Sequence, residues 1–110
     1  MLTERLEYRS SDGTIYYDFL FCYYDDLHTW RIYIIKPVPY PNTDYYKSFH
    51  YTHRLHDRGE DYDYICWGGA ISTLTQAKAV ASVWGDVTAT MIRTGRPFDV
   101  IFNEMKNRNN

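Results

Sequence analysis

The chain has 110 residues, a common size for a single domain, and carries 14 acidic against 12 basic side chains, for a formal net charge of −2. This balance argues against functions that depend on a generally basic surface, although a local basic stripe stays open. Tyrosine accounts for 12 residues, and its rigid ring with a polar tip suits half-buried sheets and interaction surfaces. A chain of this length buries one core without metals or disulfides.

The two cysteines, Cys22 and Cys66, each lie inside an apolar stretch. The sequence therefore predicts two buried, reduced thiols, because a Cys22–Cys66 bridge would require a secretory context. Residues 1–7 lack the apolar segment of a signal peptide. No apolar run approaches the roughly 18 residues of a membrane span. These patterns predict a cytoplasmic protein that does not contact membranes.

Two strands are predicted in the first third of the chain, after a polar lead over residues 1–13 that ends in a turn. Residues 14–24 are dense in strand formers and alternate, with one face richer in large apolar residues. This face is the predicted core face: Ile15, Tyr17, Phe19, Phe21 and Tyr23. A turn at 25–28 leads into a second strand, 29–36, whose Trp30, Ile32 and Ile34 share a face.

The middle of the chain contains the most ambiguous segment. Residues 37–41 hold three prolines, which predicts an extended crossing segment because proline cannot donate to a strand ladder. Residues 45–54 are predicted as a third strand and 62–67 as a fourth. The alternative for the third is a helix capped by Asn42, since Tyr46, Phe49 and His53 also fit a helical repeat.

A long helix over 73–94 is the clearest element. Thr73 and Gln76 have the spacing of a capping box, Gly95 stands where a left-handed cap belongs, and Pro97 prevents continuation. Gly85 is unfavourable inside a helix, which suggests a close approach to the sheet. Beyond the helix, the large apolar residues Phe98, Val100 and Phe102 stand at every second position and predict a short final strand at 98–102, followed by a polar tail at 106–110.

The pattern as a whole predicts a single α+β domain, in which an antiparallel sheet of four to five strands carries one long helix on one face. Residues 14–67 form the β-meander. The opposite face of the sheet, rich in tyrosine and charged residues, would meet water or a partner.

No catalytic residue, metal site or cofactor is predicted. His50, His53 and His56 are spaced by three, which places consecutive members on opposite faces of a strand. Cys22 falls in the middle of a strand, where a thiol is usually inert. The chain has neither a nucleophile elbow nor a glycine-rich phosphate loop. The sequence thus predicts a protein that is not an enzyme.

Acidic residues are concentrated on two predicted turns beside tyrosines. If both turns lie at the same end of the sheet, they form a negative edge with aromatic anchors, suited to an arginine-rich groove of a nucleic-acid-handling protein. The alternative is that these charges only keep the protein in solution. The candidate partner-binding residues are Tyr24, Asp25, Asp26, Glu60, Asp61, Tyr62 and Asp63.

In size, composition, acidic turns and the absence of enzyme motifs, the chain resembles the small stand-alone proteins of phages and mobile elements, including anti-CRISPR inhibitors of Cas9. The resemblance implies a non-enzymatic inhibitor that binds a CRISPR effector nuclease or its guide complex. Such binding would block DNA recognition or cleavage.

The alternative function is a small nucleic-acid-binding module. The stretch 64–77, Tyr-Ile-Cys-Trp-Gly-Gly-Ala-Ile-Ser-Thr-Leu-Thr-Gln-Ala, is similar to the strand, glycine turn and helix of AP2-like and integrase arm-binding domains. That resemblance implies nucleic-acid contact through basic side chains of the sheet, here Arg31, Lys36, Lys47 and Arg54, although Asp18 and Asp63 oppose them. A separate basic group that could contact RNA or phosphate consists of Arg54, Arg58, Arg93 and Arg96. The six candidate nucleic-acid-binding residues are Arg31, Lys47, Arg54, Arg58, Arg93 and Arg96. A third possibility is a homodimer formed through the open sheet face or an edge strand.

Overall fold

The computed structural model describes residues 2–108 and shows an α+β fold. Its sheet has five antiparallel strands in the order β1-β2-β3-β5-β4. The strands are β1 (Thr3–Arg9), β2 (Tyr16–Tyr24), β3 (Thr29–Ile34), β4 (Arg54–Leu55) and β5 (Asp63–Ile65). The helices are α1 (Asp44–Lys47), α2 (Phe49–Thr52), α3 (Leu74–Thr94) and α4 (Phe98–Arg108). Within the described residues, no helix is both long enough and apolar enough to cross a membrane.

The core lies between α3 and one face of β2 and β3. The alternation predicted for both strands is confirmed, because Ile15, Tyr17, Phe19 and Phe21 and also Trp30, Ile32 and Ile34 are buried. Tyr23 is half-buried against the same cluster. The helix contributes Ala77, Val80, Ala81, Trp84, Val87 and Met91 to this core.

The predicted long helix is confirmed, including both of its ends. Thr73 Oγ1 accepts a 3.1 Å hydrogen bond from the amide of Gln76, and Gly95 ends the helix with φ of 75°. The Gln76 side chain accepts from the Ser72 amide at 3.1 Å, one residue earlier than in the standard capping box.

The polar lead predicted at residues 1–13 is wrong over most of its length, because β1 lies within it. All seven residues of β1 pair with β2, from Thr3 opposite Cys22 to Arg9 opposite Tyr16. This strand is at the sheet edge and gives the core only Leu6 and Tyr8, both half-buried. Its four charged residues are typical of an edge strand, and they conceal the strand in the sequence.

The third strand predicted at residues 45–54 is also wrong. The segment forms α1 and α2, each four residues long, and only Arg54 and Leu55 are in a strand. The helical alternative correctly anticipated the type of structure but not the break at Ser48. The Ser48 side chain accepts from the Tyr51 amide and begins α2, while His53 in the left-handed conformation ends it.

The strand predicted at 98–102 is a helix, α4. Phe98 and Ile101 are buried, Phe102 and Met105 are half-buried, and Val100 is exposed, which is a helical rather than an alternating pattern. The predicted tail at 106–110 is helical as far as Arg108, and its last two residues lie outside the described part of the chain. The prediction failed because three apolar residues fit both repeats.

Candidate partner-binding cleft

The face of the sheet opposite α3 is partly covered by the loop at residues 56–62, which joins β4 to β5. On this outer face, Tyr24, Arg31, Tyr33 and Tyr64 come together from three neighbouring strands, since side chains alternate between the faces of a sheet. These residues hold the loop in place.

Arg31 lies at the centre of this arrangement. Its guanidinium carbon is 5.0 Å from the centre of the Tyr24 ring and 4.1 Å from that of Tyr64. Its Nη1 is 2.8 Å from Asp57 Oδ2 in the loop. The Arg31 side chain is only 17% exposed, so its charge is well shielded from water and depends on these partners.

A chain of hydrogen bonds links the sheet to the same loop. The Tyr33 hydroxyl donates to Glu60 Oε2 at 2.7 Å, because a carboxylate can only accept. The Tyr24 hydroxyl is 2.6 Å from that of Tyr33 and therefore donates to it. Burial, followed by the bond with Tyr24, raises the pKa of Tyr33. At a pH near the ordinary pKa of tyrosine, the Tyr33 phenol therefore stays protonated and keeps donating to Glu60.

Asp57 anchors the loop at a second point. Its Oδ1 accepts from the Tyr64 hydroxyl at 2.9 Å. Hydrogen bonds from Tyr64 and then from Arg31 hold the pKa of Asp57 below its usual range. Two carboxylates of one short loop, those of Asp57 and Glu60, thus bind the sheet directly, and the loop is ordered by its own side chains.

The anchored loop leaves its remaining large side chains outside. Arg58, Asp61 and Tyr62 are exposed, and the Tyr62 side chain is 44% accessible. Between the loop and the sheet lies a cleft of about 300 Å³. We call it the tyrosine–carboxylate cleft, and it is lined by Leu20, Tyr24, Tyr33, Gly59, Glu60, Asp61 and Tyr62.

The structure brings together four of the seven predicted partner-binding residues, since Tyr24, Glu60, Asp61 and Tyr62 all line this cleft. Asp25 and Asp26 are exposed on the turn that follows Tyr24, but they are not among the residues lining the cleft. Asp63 lies on the opposite face of the sheet. There it contacts Arg54 at 3.3 Å and His56 at 2.9 Å.

The two acidic turns do not enter the sheet at the same end. The turn at 25–28 leads into Thr29, the first residue of β3, whereas the loop at 56–62 leads into Asp63, which pairs with Ile34 at the last residue of β3. The condition on which a single negative edge depended is therefore not met. The acidic surface is divided between an exposed turn and the cleft.

Most of the predicted nucleic-acid-binding residues are paired with carboxylates of the same chain. Five of the six contact a carboxylate within 4.0 Å: Arg31 with Asp57, Lys47 with Asp44, Arg54 with Asp63, Arg93 with Asp12, and Arg96 with Glu104. These pairs lie on different elements of the fold. Only Arg58 has no carboxylate within that distance among residues 2–108, and it is exposed. A phosphate backbone would have to displace most of these acidic partners.

A second cleft, of about 370 Å³, was not anticipated from the sequence. His53 Nε2 is 2.8 Å from Asp99 Oδ1 there, and the His53 ring stacks on Phe98 at 4.2 Å. Cys66 and Trp67 line the same cleft. No spacing in the sequence indicated it, because α2, β5 and α4 meet only in the folded chain. In the described region, no three His, Cys, Asp or Glu side chains are grouped to hold a metal ion.

Comparison of the chain with models of protein families, with curated proteins and with solved structures gave no match.

Proposed function

We propose that this domain is a non-enzymatic protein-binding inhibitor that docks through the loop at 56–62 and the turn at 25–28. The observation that carries the proposal is the internal anchoring of the loop. Asp57 and Glu60 bind Arg31, Tyr33 and Tyr64, so that Asp61 and Tyr62 are displayed in a fixed position. A surface ordered before binding loses less conformational entropy when a partner arrives.

The exposed groups suit a protein partner of opposite charge. Asp25, Asp26 and Asp61 are exposed acids, and each turn also displays one large apolar or aromatic side chain, Leu27 at 53% and Tyr62 at 44% accessibility. Protein interfaces commonly combine an aromatic or apolar anchor with a polar rim. Acidic groups beside such anchors favour a basic groove on the partner, through complementary charge.

A nucleic-acid-handling protein is the partner class with such a groove. The resemblance to anti-CRISPR proteins makes a Cas9–guide complex the first partner to test. Occupation of its positively charged channel by this domain would compete with DNA for the same surface and so block recognition or cleavage.

The experiment measures binding to a purified Cas9–guide complex and inhibition of DNA cleavage. The test variant combines Asp26→Asn, Asp61→Asn and Tyr62→Ala, which removes two charges and one ring from the proposed surface. The control combines Glu7→Gln, Asp44→Asn and Tyr16→Ala, three exposed residues elsewhere. We expect the parent and the control to bind and inhibit, and the test variant to lose both. Equal loss in both variants would contradict the assignment of this surface.

Glu60 and Asp63 keep their native side chains in this experiment. Each is in contact with an arginine of the same chain, Arg31 and Arg54 respectively. Neutralising Asp63 would remove the carboxylate paired with Arg54, and neutralising Glu60 would remove one of the two carboxylates paired with Arg31. Either change would confuse a loss of folding with a loss of binding.

A gel-shift experiment on plain DNA and RNA separates this proposal from the nucleic-acid-binding alternative. The proposal predicts no shift at moderate salt, because five of the six candidate basic side chains already have acidic partners. A salt-sensitive shift in the absence of any protein partner would contradict it and favour direct binding to phosphate.

A further inference from the structure

The tyrosine–carboxylate cleft has the chemistry of a site for a guanidinium group. Its walls are the rings of Tyr24, Tyr33 and Tyr62, and its carboxylates are those of Glu60 and Asp61. We propose that this cleft binds an arginine side chain of the partner protein. The proposal rests on the proposed function and names the group that the surface recognises.

Arg31 shows that this face of the sheet already binds a guanidinium with the same components. Its own guanidinium stacks on two tyrosine rings and pairs with loop carboxylates, those of Asp57 and Glu60. Tyr24 contributes to the Arg31 site and also lines the cleft. The cleft between this loop and the sheet therefore combines tyrosine rings with loop carboxylates, as does the neighbouring site that holds Arg31 inside the fold.

Glu60 has an acceptor that the protein itself does not fully use. Its Oε2 accepts from Tyr33, whereas its Oε1 is buried and accepts no hydrogen bond from any residue of the described chain. The nearest cationic atom is Arg31 Nη1, at 3.5 Å, which is too far for a good hydrogen bond. Since buried carboxylate oxygens are normally paired, Oε1 is suited to accept from an incoming N–H donor after a small movement of the loop.

The same groups select arginine over other ligands. Two carboxylates repel phosphate and other anions, so an anionic ligand is disfavoured. A lysine ammonium would satisfy the charge, but it lacks the planar surface that stacks between rings and the fork that matches a carboxylate. The three tyrosines therefore favour arginine over lysine.

The test is an NMR titration of the full chain, labelled with ¹⁵N, using acetyl-Gly-Arg-Gly-amide as the probe. The matched peptide carries citrulline, which has a similar shape and no charge. We expect saturable shifts of the amides of residues 59–62 with the arginine peptide. Affinity for the citrulline peptide should be lower by about tenfold or more, since a charge-assisted hydrogen bond is lost. Equal affinity for both peptides, or shifts centred elsewhere, would overturn the proposal.

Two single variants test the contact residues. Tyr62→Ala and Asp61→Asn change exposed side chains, so they should leave the fold intact and weaken the arginine peptide severalfold. Tyr16→Ala, an exposed tyrosine on the same sheet face, should leave its affinity unchanged. A reduction by Tyr16→Ala equal to that by Tyr62→Ala would contradict the assignment of the cleft.

The two proposals fail in different ways. If the protein binds and inhibits the Cas9–guide complex but does not bind the arginine peptide, the proposed function is retained and the arginine site is refuted. A protein that binds the arginine peptide specifically but neither binds nor inhibits the complex would keep the site and refute that partner.

Discussion

The hydroxyl of Tyr17, on the core face of β2, donates a 2.6 Å hydrogen bond to the backbone carbonyl of Gly85, in the middle of α3. The Tyr17 ring occupies the space where a side chain at Gly85 would begin. A Cβ placed there would lie 2.9 Å from Tyr17 Cε2 and 3.3 Å from Tyr8 Cδ2. The helix thus approaches the sheet at a position that has no side chain.

Gly85→Ala should therefore destabilise the protein, although alanine favours helices by about 1 kcal/mol over glycine. The new methyl group forces Tyr17 or the helix to move, and overpacking of this kind costs about 1–3 kcal/mol. Urea denaturation measures the free energy of unfolding. Gly68→Ala is the control, since nothing lies within 4 Å of a Cβ there. A Gly85→Ala protein as stable as the parent would show that the helix backbone at Gly85 lies farther from the Tyr17 ring than described.

Trp84→Ala should be among the most damaging single changes. Trp84 is fully buried, packs edge-on against Tyr17 and Phe19, and donates its indole N–H to the carbonyl oxygens of Thr52 and His53. Loss of this ring should lower the free energy of unfolding by about 3–5 kcal/mol, as measured by thermal or urea denaturation. Trp67→Ala removes a half-buried tryptophan and should cost less. Equal losses would contradict the central position of Trp84.

The elements that the sequence predicts well are those in which burial and local preference agree. Strands β2 and β3 alternate over most of their length because one face meets α3, although Cys22 and Tyr33 on the other face are also buried. Helix α3 has an unbroken helical repeat with caps at both ends. Gly85 was also foreseen as a point of close approach. In both strands and in the helix, burial recurs at a regular spacing, so the pattern of apolar residues can be recognised from the sequence alone.

The sequence fails where tertiary contacts decide between similar patterns. Strand β1 carries charges of alternating sign and is held by its seven residue pairs with β2. Nothing in the local sequence of β1 indicates this pairing. Phe98, Val100 and Phe102 stand at every second position by chance, and only packing against His53 and Trp67 shows that the segment is helical. Tertiary context overrides weak local preference in both.

The candidate site was predicted in part. Exposed acids on turns and the tyrosines beside them can be identified from the sequence, and Tyr24, Glu60, Asp61 and Tyr62 line one cleft. Their role in binding a partner stays a prediction. The stacking of Arg31 between Tyr24 and Tyr64 could not be predicted, because it depends on strand register. The role of Arg31 in binding nucleic acid stays a prediction. The spacing of residues along the chain does not predict that the loop at 56–62 folds back over the sheet.

Low pH should reduce the free energy of unfolding, partly through protonation of Asp12. Hydrogen bonds from the Thr14 hydroxyl first, and also from Ser10 and Arg93, hold the pKa of Asp12 far below its usual value. A carboxylate with a lowered native pKa stabilises the fold above its unfolded pKa, and this contribution disappears as the pH falls through the native pKa. The advantage of the parent over Asp12→Asn should be constant near neutral pH and shrink below about pH 4.

The readout for Asp12 is the free energy of unfolding of both proteins between pH 7 and 2. Thr14→Val supplies the control, because it removes the largest cause of the shift, and NMR titration should then show a higher pKa for Asp12. An advantage of the parent that is independent of pH throughout the range would contradict this account.

The two thiols should differ sharply in reactivity. Cys22 is 5% exposed, and burial, with a further effect from Glu60, raises the pKa of its thiol. Cys66 is half-buried and lines the cleft beside His53. Because the thiolate is the reactive form and needs access to the reagent, maleimide should label Cys66 first and Cys22 only on unfolding. In Cys66→Ser, the fast phase of labelling should vanish; a fast phase that persists would place Cys22 at the surface.

Arg31 should control the order of the loop at 56–62 rather than the stability of the helix. Arg31→Met keeps a long side chain against the tyrosines but removes the positive charge that holds Asp57 and Glu60 on the sheet. We expect hydrogen exchange of the amides at 57–62 to accelerate while those within α3 stay protected, since the loop opens locally.

The same variant connects the fold to the proposed function. A released loop must be ordered again when the partner binds, so affinity should fall even though Asp61 and Tyr62 are unchanged. Arg31→Lys should lie between the parent and Arg31→Met, because it keeps the charge but loses the planar stacking and the fork of donors. Faster exchange in the loop with unaltered partner binding would separate the two properties and show that the anchoring serves stability alone.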